Sequence, residues 1–335
     1  MIMKFFLLIS FVGLVHAQPM IHSTIISVDF GSEKDALGSY SEMISQETED
    51  DYAPMLEGPV SFRVSKDHRF QFLDPFKQKL LILDAKGNLQ SSLKLPNFEN
   101  REIELVDFHV LSATKVLYLD SLAQELILSD YKTNKHEIVA SLKIKDRDLY
   151  FDRLQVQGSD QIFSLDRVSG SLFKIYPQKE ITEIIKPPTE DSGYSVTSLM
   201  GPSNSVLGFQ SHDSKPALVN FYRLHQKDGK FAAELTFANS PLGGYDAIEV
   251  LNAGSKSLDA LLVRHGEQQN LWSHYMAVDS KGKVLTNKKL NLKVIPWYMT
   301  RSSVYKAPFL YLLSPAENKG LEIHRINLSR LKPKS

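Results

Sequence analysis

The chain contains no cysteine, and this absence removes several kinds of chemistry. Disulfide bonds, zinc sites built on thiolates, catalytic thiols and attachment of c-type haem all require that residue. Secreted eukaryotic proteins of this size more often carry disulfide bonds. The composition therefore favours a bacterial protein, and the compartment depends on whether the chain carries an export signal.

An excess of charge of either sign is also missing. Lys and Arg together number 39, and so do Asp and Glu, so the formal net charge is zero. Proteins that bind nucleic acid usually carry a clear basic excess. We therefore expect no nucleic-acid partner.

Long apolar runs are confined to the start of the chain. Lys4 precedes an apolar stretch over residues 5–15 that is too short to span a bilayer, and Val15-His16-Ala17 provides a cleavage signal. This order of charge, apolar run and cleavage signal predicts a signal peptide over residues 1–17. We expect a periplasmic or secreted protein that begins at Gln18 and has no membrane span. Lipid attachment is excluded because no cysteine follows the apolar run.

A short phrase that ends in aspartate recurs three times at a constant interval. Its aspartates are separated by 46 residues each time (120 − 74 and 166 − 120), and looser copies follow at 206–210, 260–264 and 310–314. A period of about this length that is filled with short β-type runs is typical of propeller blades. Six copies predict six blades. The three regular copies read Phe70-Gln71-Phe72-Leu73-Asp74, Val116-Leu117-Tyr118-Leu119-Asp120 and Ile162-Phe163-Ser164-Leu165-Asp166.

The first repeat displays the plan of a single blade. Runs with alternating or continuous apolar residues cover 60–64, 70–73, 79–83 and 89–95, which predicts four antiparallel strands. The turn Asp84-Ala85-Lys86-Gly87 separates the third run from the fourth, and it recurs at 279–282. Glycine supplies the positive φ of a tight hairpin and aspartate favours its first position.

The last repeat lacks one strand, and the start of the mature chain can supply it. Its runs cover only 294–299, 309–313 and 321–326, whereas residues 24–30 form a further β-type run that no repeat uses. Pairing this run with the last blade would close the ring and protect its sheet edges. We therefore expect one all-β domain over residues 18–335, a six-bladed propeller with four-stranded antiparallel blades closed by an N-terminal strand.

The repeats resemble the six-bladed β-propellers of the bacterial envelope, the broad class that includes NHL-type and TolB-like propellers. The resemblance covers residues 21–328 and is carried by three Leu-Asp pairs and the Asp-x-Lys-Gly turns. It implies a fold more specifically than an activity, since the class includes ligand-binding scaffolds, interaction platforms and some enzymes, such as metal-dependent lactonases. The pairs are Leu73-Asp74, Leu119-Asp120 and Leu165-Asp166.

The segment 31–57 is acidic and does not resemble a strand. It contains eight Asp and Glu residues and a single base, Lys34. One interpretation is a solvated linker between the first strand and the first blade. The other is a lid over one mouth of the central channel.

Aromatic and acidic residues accumulate where the chain passes from one blade to the next. In a propeller, these connections converge on one mouth of the channel together with the loops between second and third strands. Rings beside carboxylates suit sugars, peptide side chains or cations. The alternative is that the rings pack between blades as core. The candidate ligand-binding residues are Tyr150, Asp152, Tyr194, Tyr245, Asp246, Trp297 and Tyr298.

The repeated aspartates permit a structural and a functional interpretation. Asp74, Asp120 and Asp166 each end a predicted second strand, where a carboxylate commonly accepts backbone N–H groups and stabilises a turn. They would otherwise form an acidic arc at the mouth, where a calcium site is conceivable. The sequence contains no Asp-x-Asp-x-Asp-Gly loop, no helical pair of histidines and no Gly-x-Ser-x-Gly motif. We therefore assign no catalytic residue, no metal ligand and no cofactor.

Two functions follow as hypotheses. The first is an exported module that binds a protein, peptide or sugar ligand at the mouth of the channel. The second is a metal-dependent hydrolase or lactonase that uses carboxylates at the same mouth.

Overall fold

The fold is all-β in a computed structural model of the chain. The structure describes residues 23–29, 36–38, 58–157, 161–166, 171–177, 181–185, 194–199, 206–211, 218–227, 230–240, 247–253, 257–265, 271–279, 281–290, 299–316 and 320–331. These residues form 24 strands and one short 3-10 helix, Leu328–Arg330. None of the helices among them is long and apolar enough to cross a membrane. The predicted signal peptide and most of the acidic segment 31–57 lie outside the described residues.

The first strand, β1 (Ser23–Asp29), is followed by three sheets of four consecutive antiparallel strands. The first sheet contains β2 (Ser61–Val64), β3 (Phe70–Asp74), β4 (Lys79–Leu83) and β5 (Leu89–Lys94). The second contains β6 (Leu105–Val110), β7 (Lys115–Asp120), β8 (Glu125–Asp130) and β9 (Lys135–Ser141). The third contains β10 (Gln155–Gln157), β11 (Gln161–Leu165), β12 (Leu172–Tyr176) and β13 (Thr182–Ile185).

The next eight strands form a single sheet, which corrects the prediction of six separate blades. The described residues form five sheets, and the largest has the order β17-β16-β15-β14-β18-β19-β20-β21. Each half is antiparallel, but β14 and β18 pair in parallel through Ser198↔Ile248 and Leu199↔Glu249. These innermost strands approach closely enough to share backbone hydrogen bonds. The strands are β14 (Tyr194–Leu199), β15 (Val206–Ser211), β16 (Leu218–Lys227), β17 (Lys230–Ser240), β18 (Ala247–Ala253), β19 (Ser257–His265), β20 (Leu271–Asp279) and β21 (Val284–Lys289).

The last sheet combines both ends of the described chain. It contains β22 (Ser303–Lys306), β23 (Phe309–Ala316) and β24 (Gly320–Asn327), and β1 pairs with β24 from Ser23↔Ile326 to Asp29↔Gly320. The predicted pairing of the first strand with the last run is therefore present. Residues 294–298, which carry most of the predicted first strand of this sheet, lie outside the described residues. Among the described residues β22 is the innermost strand of the sheet, and a tight hairpin pairs its Lys306 with Phe309.

Contacts between innermost strands place the sheets around a common axis. β2 contacts both β22 and β6, and β18 contacts both β22 and β14. A parallel bridge also joins Ser61 to Arg301. The architecture is a β-propeller with four-stranded antiparallel blades, in which the innermost strands line the central channel.

The hydrophobic core lies between the faces of neighbouring sheets. Phe62, Phe72 and Tyr311 belong to one cluster between the last and first sheets, and Leu73, Phe108 and Tyr118 belong to another between the first and second sheets. All six side chains are fully buried. Burial of one such side chain contributes about 1.5–3 kcal/mol. The propeller is therefore stabilised mainly by contacts between blades.

The repeated aspartates fix turns, as the structural interpretation predicts. Asp74 accepts the Lys77 N–H at 3.0 Å, and Asp120 accepts the N–H groups of Leu122 and Ala123 at 3.1 and 3.2 Å. Each of these carboxylates is fully buried. The hairpin turns are confirmed as well, since Gly87 and Gly282 both have positive φ, of 91° and 78°.

The same aspartates have a second role that the sequence did not indicate. Each one also binds the segment that precedes the first strand of its own sheet. Asp74 accepts the Gly38 N–H at 2.6 Å, Asp120 accepts the Glu104 N–H at 3.1 Å and Asp166 accepts the Tyr150 N–H at 2.7 Å. The repeat therefore positions the connections between blades, including a short part of the acidic segment.

One piece of the acidic segment belongs to the core. The Leu37 side chain is fully buried in the cluster between the last and first sheets, and its N–H donates to the Asp29 carbonyl at 2.8 Å. Ala36, Leu37 and Gly38 are the described residues of this segment. They lie against the first blade, and the choice between a linker and a lid concerns the residues around them.

Candidate functional site

We term the connections that lead into the innermost strands the lead-in segments, and the predicted site residues were selected for such positions from the sequence. Two of them are described with their side chains. Tyr150 is 43% exposed and Asp152 is half-buried, both on the lead-in segment of β10. Tyr194 begins β14 opposite Ser211, and its side chain lies outside the described part. Tyr245, Asp246, Trp297 and Tyr298 lie wholly outside the described residues.

The ring that packs between blades on this segment is Phe151, the neighbour of Tyr150. Phe151 is fully buried and meets Phe173 edge to face, with ring centroids 5.5 Å apart. The Gln124 side chain binds its backbone, since Oε1 accepts the Phe151 N–H at 2.8 Å and Nε2 donates to the Phe151 carbonyl at 3.3 Å. Tyr150 is therefore held at the surface and Phe151 in the core.

A buried carboxylate, Asp107 on β6, binds groups of the first and third sheets. Its Oδ1 accepts the Ser61 hydroxyl at 2.6 Å, and its Oδ2 accepts Arg63 Nη2 at 2.9 Å and the Leu154 N–H at 2.8 Å. A β-bulge between Leu105 and Asp107 displaces the residue from regular pairing with β7. Because of the bulge, one side chain joins the first, second and third sheets.

Two guanidinium groups converge on the same place. Arg63 Nη2 and Arg301 Nη2 each donate to the Leu154 carbonyl at 2.9 Å, and Arg301 Nη2 lies 3.5 Å from Asp107 Oδ2. The side chains of Arg63 and Arg301 are only 14% and 12% exposed. Arg153, beside Leu154, is near enough for its charge to act on Arg63. We call Arg63, Arg153 and Arg301 the arginine cluster.

The backbone around Thr300 positions Arg301. The Thr300 N–H donates to the Val60 carbonyl at 2.8 Å, and its hydroxyl donates to the Val106 carbonyl at 2.6 Å. The Phe62 N–H donates in turn to the Arg301 carbonyl at 3.1 Å. The lead-in segment of the last sheet is therefore bound to the innermost strands of the first sheet and the second.

Electrostatic effects at the cluster oppose one another. Burial tends to raise the pKa of the Asp107 carboxyl, but the charges of Arg63 and Arg301 outweigh burial and lower it. Burial lowers the pKa of Arg63 to about 10, and repulsion from Arg301 and Arg153 adds to this effect. At neutral pH Asp107 is therefore ionised and Arg63 is protonated. The three arginines and this one carboxylate carry a net positive charge.

The guanidinium groups also have unused donor capacity. The Nε atoms of Arg63 and Arg301 are buried, and neither has a hydrogen-bond partner among the described residues. A buried N–H group without a partner costs about 1–3 kcal/mol. The cluster therefore contains more hydrogen-bond donors than the contacts between the blades use.

Further cationic and titratable groups follow along the channel. His109, two residues after Asp107 on β6, has its pKa lowered to about 3 by burial and by the charge of Arg63. Burial lowers the pKa of Lys306, at the end of β22, and the charges of Arg63 and Lys66 contribute. His109 is therefore neutral near pH 7, and Lys306 is a further cation close enough to Arg63 to be affected by its charge.

The donor set of the cluster does not fit a divalent cation. No group of three or more His, Asp or Glu side chains that could hold a metal ion occurs in the described part of the chain. Calcium requires several oxygen ligands, and Asp107 is one carboxylate surrounded by cations. A calcium site elsewhere in the chain stays a prediction.

A concave surface lies between the first and second sheets, apart from the arginine cluster. This cleft has a volume of about 520 Å³ and is lined by Gln78, Arg101, Glu104 and Leu122, among others. The Arg101 guanidinium binds the carboxylates of Asp120 and Glu125 and stacks on Phe98, 5.1 Å from its ring centroid. The cation of this cleft is thus already paired.

Sequence reasoning located the lead-in segments but missed the arginines. Arg153 directly follows the predicted Asp152, and Arg301 follows the predicted Trp297 and Tyr298 by a few residues. The available signal was charge within apolar runs, namely Arg63 in the predicted strand 60–64 and Asp107 between Val106 and Phe108. The enrichment in aromatic side chains indicated the neighbouring residues instead.

No protein-family model matches the chain, and no curated protein matches it significantly by sequence. Solved structures do match its fold. A DUF4221 family member from Bacteroides vulgatus has 9% identity and a TM-score of 0.56, over 92% of this chain and 98% of that chain. Virginiamycin B lyase from Staphylococcus aureus has 10% identity and a TM-score of 0.50, over 91% and 100%.

A third similar structure is a calcium-binding protein, regucalcin, from Agrobacterium tumefaciens. It has 15% identity and a TM-score of 0.49, over 80% of this chain and 90% of that chain. Identities of this size transfer no activity. The first two structures, with TM-scores of 0.56 and 0.50, support the β-propeller fold.

Proposed function

We propose that this protein is an exported propeller that binds a ligand at the mouth of its central channel, over the arginine cluster. The observation that carries the proposal is the convergence of buried polar groups from four sheets at the axis. The first sheet contributes Ser61 and Arg63, and the second sheet contributes Asp107. The lead-in segments of the third and last sheets contribute Leu154 and Arg301. Buried ion pairs are weak evidence for stability, whereas buried charged groups with perturbed pKa values occur often at functional sites.

The predicted aromatic residues complete this proposal. Tyr150 and Asp152 lie on the segment that presents the Leu154 carbonyl to the arginines, and Trp297 and Tyr298 directly precede Met299 to Arg301 in sequence. We propose that these residues, with Tyr194, Tyr245 and Asp246, form the rim of the mouth and that the cluster forms its floor. A polar floor beneath aromatic walls is the usual composition of a ligand site.

Binding by variants tests the placement of the site. Thermal shift and calorimetry would be performed with acidic, basic and neutral tripeptides, oligosaccharides, and small organic acids. We expect at least one probe to bind, and Arg63→Gln and Trp297→Ala to weaken it at least tenfold. Arg147→Gln, in an ion pair with Glu183 outside the cluster, is the control. A probe that binds both variants as well as it binds the wild type, or no binding by any probe, would overturn the proposal.

Several finer predictions accompany this function. We propose that residues 1–17 are cleaved on export to the periplasm or the medium, and that the β1–β24 pairing closes the ring of a single domain. We also propose that the chain belongs with the propellers of the bacterial envelope. N-terminal sequencing of the exported protein tests cleavage, with Gln18 expected as the first residue. A mature protein that retains Met1 contradicts it.

The second candidate is an enzyme, a metal-dependent hydrolase or lactonase acting at the same mouth. Its support is that the same fold accommodates virginiamycin B lyase, a protein whose name denotes an enzyme. Metal analysis and thermal shifts with Ca²⁺ and Zn²⁺ on the full mature chain test this candidate. A stoichiometric ion together with lactone hydrolysis that a chelator abolishes favours the enzyme. The absence of both favours the binding module.

A further inference from the structure

The arginine cluster also indicates the chemical class of the ligand. We propose that it is a small molecule with an oxyanion group, a carboxylate or a phosphate, which Arg63 and Arg301 bind at the axis. The inference deepens the proposed function and rests on it. The net charge, the donor geometry and the surroundings of the cluster carry it.

The cluster has an excess of positive charge. Two guanidinium groups, of Arg63 and Arg301, lie against the single Asp107 carboxylate, and repulsion from Arg301 and Arg153 contributes to the lowered pKa of Arg63. Lys306 adds a further cation along the channel, and its pKa is lowered by burial and then by Arg63. An anion at the cluster relieves this repulsion, whereas a cation adds to it. In a partly desolvated site such interactions are stronger than in water.

The donors that remain are suited to an oxyanion. Both arginines use Nη2 for Leu154, and Arg63 also uses it for Asp107, while each Nε is buried with no partner among the described residues. A guanidinium presents its N–H groups in a planar fork that matches two oxygens of one carboxylate or phosphate. A ligand oxygen at Nε would satisfy a donor that is otherwise costly to bury.

The surroundings of the cluster hold its arginines in place. Asp107, the Leu154 carbonyl and the Thr300 backbone orient the guanidinium groups before any ligand binds. Phe108 also lies against Arg63, with the guanidinium carbon 5.6 Å from the ring centroid. Preorganised donors lose less side-chain entropy when a ligand binds. The rival explanation is a purely structural network that joins the blades.

Titration with defined anions separates these explanations. The full mature protein would be titrated with inorganic phosphate, sulfate, acetate and citrate, with potassium chloride at matched ionic strength and glucose as neutral controls. We expect at least one oxyanion to raise the melting temperature and bind in calorimetry, whereas chloride and glucose do neither. Comparison of acetate and citrate with phosphate and sulfate shows whether the cluster prefers a carboxylate or a phosphate-like oxyanion.

Variants connect that binding to the cluster. Arg63→Gln and Arg301→Gln are expected to weaken oxyanion binding at least tenfold, and Arg63→Lys, which keeps the charge without the fork, to weaken it less. Arg147→Gln should bind as the wild type does. Circular dichroism of each variant verifies folding, and Arg63→Lys keeps the test informative if a glutamine variant unfolds.

The failures of the two proposals are distinguishable. If no oxyanion exceeds chloride but a neutral or basic probe binds in a manner that depends on Arg63, the oxyanion inference fails and the proposed function stands. If no probe of any charge binds, both fail. Oxyanion binding that Arg63→Gln and Arg301→Gln leave unchanged also overturns the inference.

Discussion

Asp107 and Arg63 form an ion pair between the innermost strands of two neighbouring sheets, with Oδ2 and Nη2 2.9 Å apart. The carboxylate is fully buried and the guanidinium side chain is 14% exposed. Removal of one partner from such a pair leaves the other buried without compensation. The pair thus connects the stability of the ring with the charge of its channel.

Asp107→Asn should strongly destabilise the protein. The substitution removes the carboxylate that compensates Arg63 and Arg301, so we expect the free energy of unfolding to fall by about 3–5 kcal/mol. Phosphate should partly restore it if the cluster binds oxyanions. Urea unfolding at low salt, with and without phosphate, measures both effects.

Asp67→Asn is the matched control for that experiment. Asp67 pairs with Arg69 at the surface, where both side chains are at least half exposed. Exposed pairs of this kind contribute about 0–1 kcal/mol. Equal losses for the two variants would contradict the assignment of Asp107 as the compensating charge.

Asp120→Ala tests the second role of the repeated aspartates. Its buried carboxylate accepts the N–H groups of Glu104, Leu122 and Ala123 and pairs with Arg101. Loss of these acceptors should cost about 2–4 kcal/mol, because buried N–H groups are left without partners. Asp120→Asn keeps one acceptor oxygen and should cost less in thermal or urea unfolding. Equal losses for Ala and Asn would indicate that the hydrogen bonds are unimportant.

Gly320→Ala should detach the N-terminal strand. Gly320 has φ +150°, and a Cβ at this position would lie 2.1 Å from the Val28 carbonyl oxygen. Relief of that overlap requires β1 and β24 to separate locally, at about 1–3 kcal/mol. Hydrogen exchange of the β1 amides should accelerate, while Ser27→Ala, at an exposed position on the same strand, should not accelerate it. Unchanged protection in Gly320→Ala would show that β1 does not depend on this close approach.

The protein should lose stability as the pH falls from about 6.5 towards 3. The folded-state pKa of His109 is lowered from 6.5 to about 3, so the unfolded chain binds more protons in this range. The stabilising contribution of neutral His109 is fully present above 6.5 and is lost as the pH falls to the folded pKa. One histidine contributes a slope of at most about 1.4 kcal/mol per pH unit.

A histidine variant isolates this effect from other acid-sensitive groups. His109→Gln should flatten the pH dependence of the free energy of unfolding between pH 6.5 and 4, measured with urea at each pH. His274→Gln, on β20 away from the arginines, provides the baseline. An identical slope in wild type and His109→Gln would contradict a buried neutral His109.

Strands of the early repeats were predictable because their signals are local. The runs at 70–73 and 79–83 correspond to β3 and β4, and the Asp84–Gly87 turn joins β4 to β5 as expected. Side-chain alternation and turn residues act over a few positions of the chain. In the last repeat β22 was not predicted, because a strand of four residues is too short to show a clear alternation of side chains.

The connections between blades were predictable, whereas the chemistry of the arginine cluster was not. The lead-in segments follow from the repeat, and Tyr150 does lie exposed on one of them. The merging of β14 and β18 into one sheet and the meeting of Arg63 with Arg301 have no local signal. Both depend on how closely neighbouring blades approach one another around the ring.

The sequence by itself determined the strand repeat, the turns and the absence of thiol chemistry, since each depends on residue types or near neighbours along the chain. Only the tertiary structure decided which charges share the axis. Arg63, Asp107 and Arg301 belong to three different sheets, and they meet because contacts between innermost strands bring distant parts of the chain together. Their mutual distances, and with them the charge of the channel, are set by the packing of the ring.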